Sequence, residues 1–151
     1  MFAGGPASAT PAARRSYRSG RDGIVRFRCL VPRILVVDDD ADVRELIKLA
    51  LVVQGYDVAS VASGRAALEQ LAQHAYDLIV CDLDMPDVDG RAIYRAIEQT
   101  PPPRPAVLFV TGYADAGPYE EFLRTVPVTV VGKPFDINVL RETVRRLLSG
   151  T

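Results

Sequence analysis

Five short apolar runs alternating with amphipathic stretches predict an α/β domain, (βα)5, doubly wound around a five-stranded parallel sheet. Three observations carry that expectation. The apolar runs are continuous, as strands covered on both faces require. The intervening stretches repeat their apolar residues at helical spacing. Finally, four of the runs end in Asp, Thr or Lys, the residue types that line the carboxyl edge of such a sheet when it carries a site.

The first run, Ile34-Leu35-Val36-Val37, stops at acids. Val43, Leu46, Ile47, Ala50 and Leu51 then place one apolar face on a helix that Asp40 can cap and Gly55 ends. Asp57 to Ala62 is the second strand, followed by a helix carrying Ala67, Leu68, Leu71 and Ala72 inward. Leu78-Ile79-Val80-Cys81 forms the third strand and runs into Asp82. Gly90 to Gln99 reads as a helix with Ala92, Ile93, Ala96 and Ile97 on its apolar side, closed by Thr100-Pro101-Pro102-Pro103. Val107-Leu108-Phe109-Val110 ends in Thr111. Pro118, at the N1 position, opens a short fourth helix over Tyr119 to Arg124. Val128 to Val131 is the fifth strand, ending near Lys133, and Asp136 caps a last helix that points Leu140, Val144 and Leu147 inward.

The length of 151 residues suits one domain plus a tail. Apolar residues make up 48% of the chain, enough for a core, yet no run of about 18 apolar residues exists to span a membrane. Residues 1–32 hold six arginines against one aspartate; the remainder holds twelve basic residues against eighteen acidic ones. The expectation is a flexible basic extension over 1–32, without the apolar segment of a secretory signal, and an acidic domain over 33–149. Such a domain is not a nucleic-acid binder by charge. Cys29 and Cys81 make no disulfide framework; Cys81 reads as a small buried apolar residue, and the expected compartment is the cytoplasm.

Asp38 and Asp39, Asp82, Thr111 and Lys133 would meet at one edge of the sheet. Three carboxylates pressed together repel unless a cation joins them. Oxygen-only donors select Mg²⁺, or Mn²⁺, which keep waters and share phosphate oxygens. A carboxylate is also a competent nucleophile on phosphorus, while a lysine and a hydroxyl can hold the transferring oxygens. One of the three consecutive acids can serve merely as a helix cap, and a Thr after a strand is ordinary. A lysine followed by proline at a strand end is an unusual choice for a plain turn, and the joint placement at four strand ends points to phosphoryl transfer onto a carboxylate.

Four segments carry a family resemblance: Ile34 to Asp40, Asp82-Leu83-Asp84-Met85-Pro86-Asp87-Val88-Asp89-Gly90, Val110-Thr111-Gly112 and Lys133-Pro134-Phe135. Together, over roughly Arg33 to Leu148, they resemble the receiver domain of two-component response regulators. The resemblance implies a flavodoxin-like strand order, 2-1-3-4-5. It implies Asp82 as phosphoacceptor, Asp39 and Asp82 as direct Mg²⁺ ligands, Asp38 acting through water and Asp84 through its backbone carbonyl. Thr111 would bond the phosphoryl group and move toward it on activation, Lys133 would pair with a phosphoryl oxygen, and the Lys133–Pro134 bond would be cis. Gly112 would leave the site open to a donor. Asp84 and Tyr113 stand where the family tunes hydrolysis of the aspartyl phosphate. The implied partners are a sensor histidine kinase or phosphotransfer protein, and a downstream protein at the face made by the fourth helix, fifth strand and fifth helix. The chain departs from the pattern at Val130, where the family's switch aromatic, when present, would stand.

Other readings fit less well. A haloacid-dehalogenase-like phosphatase would want Thr or Val two residues after an Asp-x-Asp nucleophile, and Asp38-Asp39-Asp40-Ala41-Asp42 lacks it. An FMN binder of the same fold would place a phosphate loop where three aspartates repel phosphate. A phosphate-independent interaction module of the receiver fold would not need the full set of acids, Thr and Lys. The single histidine, His74, stands near the end of the second helix with no kinase-like segment around it and reads as a surface residue. Tyr119, Phe122 and Leu123 read as core or partner surface.

Overall fold

The computed structural model describes residues 16–19, 23–26, 31–112 and 117–150. Ser16–Ser19 (β1) and Gly23–Arg26 (β2) pair as a two-stranded antiparallel ribbon within the stretch expected to be a flexible extension. The expectations for Cys29 and Tyr113 lie outside the described residues.

The main sheet is parallel and consists of Arg33–Val37 (β3), Asp57–Val61 (β4), Leu78–Cys81 (β5), Ala106–Thr111 (β6) and Thr129–Gly132 (β7). Its spatial order is β4-β3-β5-β6-β7, the expected 2-1-3-4-5. Helices α1 (Ala41–Val53), α2 (Gly64–Gln73), α3 (Gly90–Glu98), α4 (Glu120–Thr125) and α5 (Ile137–Ser149) connect and follow the strands. The order in which the chain adds strands reverses between β3 and β5, so the crevice beyond their carboxyl ends is where this fold places a site.

Successive residues of β3 point to opposite faces and divide the core in two. Leu35 and Val37 join a cluster with Ala67 of α2, Ile93, Tyr94 and Ile97 of α3, and Phe109. Ile34 and Val36 join a second cluster with Ile47 and Leu51 of α1 and Leu140 and Val144 of α5. A fully buried Leu, Ile or Phe contributes roughly 1.5–3 kcal/mol, so these two layers are the main source of stability.

Asp40 and Asp136 cap α1 and α5 as expected, their carboxylates accepting from the first backbone amides, and Asp89, which the sequence pattern did not single out, caps α3 in the same way. Gly55, with φ 94°, turns the chain after α1. Three expectations need correction. Leu46 is exposed, because α1 turns Val43, Ile47, Ala50 and Leu51 toward the sheet and Leu46 falls a quarter-turn round. Ala72 is exposed for the same reason on α2, where Ala67 is the fully buried residue. Pro118 is not at N1: Glu120 N–H donates to the Gly117 carbonyl, closing a turn over Pro118 and Tyr119, and α4 starts at Glu120 with Tyr119 as its cap. Among the described residues, no helix is long and apolar enough to cross a membrane.

Candidate functional site

The carboxyl ends of β3, β5, β6 and β7 bring the predicted polar residues together. Asp38 leaves β3 buried, and Asp82 leaves β5 with 7% of its surface exposed. Asp39, next in the chain, faces solvent. One carboxylate oxygen from each of Asp38, Asp39 and Asp82 lies within 4.8 Å of the others. Thr111, the last residue of β6, is fully buried at the same edge of the sheet, in register with Gly132 of β7.

Lys133 closes the group from the far strand. Its Nζ donates to Asp38 Oδ2 at 2.8 Å and to Asp82 Oδ2 at 3.2 Å. Its own N–H donates to the Thr111 carbonyl at 2.8 Å, and its bond to Pro134 is cis, as expected. The ammonium ends up beside two carboxylates because β7 adds to the sheet in parallel register and the residue that follows it emerges at the same edge.

The electrostatics follow from burial. Desolvation pushes the Asp82 carboxyl above the usual carboxylate range; the Lys133 charge pulls it back and the neighbouring Asp38 charge pushes it up again. Burial lowers the Lys133 ammonium, but its bond to Asp38 and the charges of Asp82 and Asp38 outweigh this and hold it above its ordinary value. Asp82 is therefore a partly desolvated carboxylate held by one cation.

Backbone groups complete the frame. Asp40 N–H donates to Asp38 Oδ1 at 2.9 Å, and Asp84 N–H donates to Asp82 Oδ1 at 3.2 Å. Arg44 reaches back from α1 to the Asp38 carbonyl at 2.8 Å. These contacts fix both carboxylates, leaving the exposed Asp39 as the member open to solvent. The donor set fits a hard divalent cation: oxygen ligands only, with a lysine at hand to balance the charge of a phosphate.

Sequence reasoning missed one participant. The Tyr119 hydroxyl, at the head of α4, donates to Asp84 Oδ1 at 2.9 Å. Burial and this bond push the Tyr119 hydroxyl up to about 12, so it stays protonated as a donor. The contact joins residues 35 positions apart and has no periodic signature in the sequence. Cys81 is buried, as expected, and its Sγ donates to the Asp82 carbonyl at 3.0 Å. His74 caps the end of α2, away from the acids. Val130 packs against the first core cluster.

A doubly wound sheet of order 2-1-3-4-5 with this acidic cluster, threonine and lysine at its strand ends defines a phosphoacceptor receiver of two-component signalling. The chain belongs to the response regulator receiver domain family, whose model matches residues 34–145. It is 37% identical over 118 residues to the transcriptional regulatory protein ZraR of Escherichia coli K12, covering 78% of this chain and 26% of that protein. The chain thus spans about a quarter of the length of the curated relatives it matches. Among solved structures it is similar to the signal receiver domain of a histidine kinase from Syntrophus aciditrophicus, with TM-score 0.72, 33% identity, and 80% and 92% of the two chains covered. It is also similar to the response regulator TrrA of Thermotoga maritima in complex with Mg²⁺–BeF, with TM-score 0.69, 31% identity, and 78% and 100% of the two chains covered. As a receiver domain the chain is not an enzyme in the ordinary sense.

Proposed function

We propose that Asp82 is the phosphoacceptor and that residues 33–149 form the receiver domain. The observation that carries this is the convergence of the buried Asp82 with Asp38, Asp39 and the Lys133 ammonium at the switch point of the sheet. Asp82 attacks phosphorus, forming an O–P bond as the bond from phosphorus to the donor imidazole nitrogen breaks and that nitrogen keeps the electron pair. Lys133 turns from the carboxylates to an incoming phosphoryl oxygen, and Thr111 donates to another. Asp39 and Asp82 would hold Mg²⁺ directly, Asp38 would act through water and Asp84 would offer its carbonyl; Mn²⁺ would suit the same oxygen donors. When bound there, the cation would supply screening of the carboxylates and of the charge on the transferring oxygens.

The donor is a phosphohistidine on a sensor histidine kinase or phosphotransfer protein. Phosphorylation shifts the domain between two conformations and so changes affinity for a protein partner at the face of α4, β7 and α5. The acidic balance of the domain favours a protein partner over nucleic acid or membrane, and the compartment we infer is the cytoplasm, in line with the absence of a disulfide framework.

Incubation with acetyl phosphate and Mg²⁺, read by intact mass, tests the assignment. The wild type gains one phosphoryl group; Asp82→Asn and a chelated sample do not. A folded wild type that binds Mg²⁺ and gains nothing from acetyl phosphate has either a site closed to small donors or no phosphoacceptor; no gain from a phosphohistidine donor as well would overturn the assignment in favour of a phosphate-independent interaction module.

A further inference from the structure

Asp84 is two residues beyond Asp82 and is bound at both ends. Its N–H donates to Asp82 Oδ1 at 3.2 Å, and its carboxylate accepts from the Tyr119 hydroxyl at 2.9 Å. The tyrosine is itself well fixed. It is 5% exposed and packs in the first core cluster. The Arg91 guanidinium sits over its ring, 4.8 Å from the centroid, and Arg91 is held in turn by Asp89 at 2.7 Å. One turn further along α4, Phe122 stands edge-on to Tyr94 and Phe109 at 5.8 and 5.9 Å. The Asp84 carboxylate would otherwise be a mobile, solvent-facing base beside the phosphoacceptor.

We propose that Tyr119 is a positioning residue that pins the Asp84 carboxylate away from Asp82, and so both lengthens the life of the phosphoryl group and ties that lifetime to the position of α4. The inference rests on Asp82 being the phosphoacceptor. Hydrolysis forms a P–O bond from an attacking water and breaks the P–O bond to Asp82, regenerating its carboxylate and releasing inorganic phosphate. The water loses a proton in that step. A released Asp84 carboxylate can accept the proton and pass it to solvent; a carboxylate held by the tyrosine hydroxyl is aimed elsewhere and is a poorer base. The link also supplies what the strand lacks. With Val130 where an aromatic switch would stand, Tyr119 is one side chain, among the described residues, that connects the neighbourhood of Asp82 to α4.

Tyr119→Phe removes the hydroxyl and keeps the ring, its packing and the arginine above it. Each protein is phosphorylated with acetyl phosphate and Mg²⁺, freed of donor, and followed by intact mass as the phosphoryl group is lost. Tyr119→Phe is expected to lose it at least threefold faster than wild type, with the thermal midpoint of the unphosphorylated protein nearly unchanged. In an Asp84→Ala background the same substitution should change the rate by less than 1.5-fold, because the base it releases is gone. Equal lifetimes for wild type and Tyr119→Phe would overturn the proposal. So would an equal acceleration with and without Asp84, which would mean that the tyrosine acts through packing alone. A wild type that gains no phosphoryl group would overturn the phosphoacceptor reading itself, an outcome distinct from normal labelling with unchanged lifetimes.

Discussion

Lys133 Nζ lies 2.8 Å from Asp38 Oδ2, a contact between residues 95 positions apart that joins the last strand of the sheet to its first. The same ammonium reaches Asp82, so one cation balances two buried carboxylates. Its removal should be felt in both stability and chemistry.

Lys133→Met leaves Asp38 and Asp82 facing each other. Removing one partner of a fully buried pair costs roughly 3–5 kcal/mol. Because the Lys133 side chain is 22% exposed, solvent screens part of this, and a loss of about 2 kcal/mol is expected by urea denaturation in metal-free buffer. Added Mg²⁺ should restore much of that stability, while phosphorylation by acetyl phosphate should remain at least tenfold slower than wild type.

Asp82→Asn should instead stabilise the metal-free protein at neutral pH. Burial raises the Asp82 carboxyl in the folded state, so the folded protein holds its proton more tightly than the unfolded chain. Stability is therefore lost as pH rises from the ordinary carboxylate value through the raised one, a loss the asparagine does not suffer. The urea midpoint of the variant should exceed that of wild type at pH 7, and the gap should close as pH falls below the ordinary carboxylate range. A wild type that is the more stable protein at pH 7 would refute this.

Mg²⁺ should raise the thermal midpoint of the wild type and leave Asp39→Ala nearly unmoved. A ligand that binds only the folded state stabilises by about 2.7 kcal/mol at one hundred times its dissociation constant. Asp39 is the exposed member of the cluster, so its loss removes a ligand without opening the core. Thermal scans with and without a chelator measure the effect directly.

Asp89 caps α3 through Arg91 N–H and Ala92 N–H and pairs with the Arg91 guanidinium. Burial alone would raise its carboxyl, but the bonds from Arg91 and Ala92 hold it below the usual range. A lowered value contributes stability above the ordinary carboxylate pKa that is lost as pH falls through the lowered one. Asp89→Ala should cost about 1 kcal/mol near pH 7, and the difference from wild type should shrink under acid. The comparison of denaturation midpoints at neutral and low pH checks both halves.

Gly64 begins α2 against the loop after β5, where an added Cβ would overlap the Val88 carbonyl and side chain. Backbone cannot give way as a flexible side chain does, so Gly64→Ala should destabilise by about 2–3 kcal/mol. A neutral outcome in chemical denaturation would mean that this loop stands further from α2 than the structure places it.

Much of this protein was determined by the sequence alone. Continuous apolar runs, helical spacing and the acids before helices located five strands and five helices. The polar residues at the strand ends then assembled Asp38, Asp39, Asp82, Thr111 and Lys133 in advance. That works because strand alternation and helix capping are local, and because parallel strands deliver their last residues to a common edge. Tertiary packing decided the remainder. It left Leu46 in solvent, since a helix's inward stripe depends on its rotation over the sheet and not only on its apolar positions. A turn at Gly117 moved Pro118 off the helix. Packing also brought Tyr119 to Asp84, a bond between separate crossovers whose existence depends on how α4 lies over the strands, a distance no local pattern encodes.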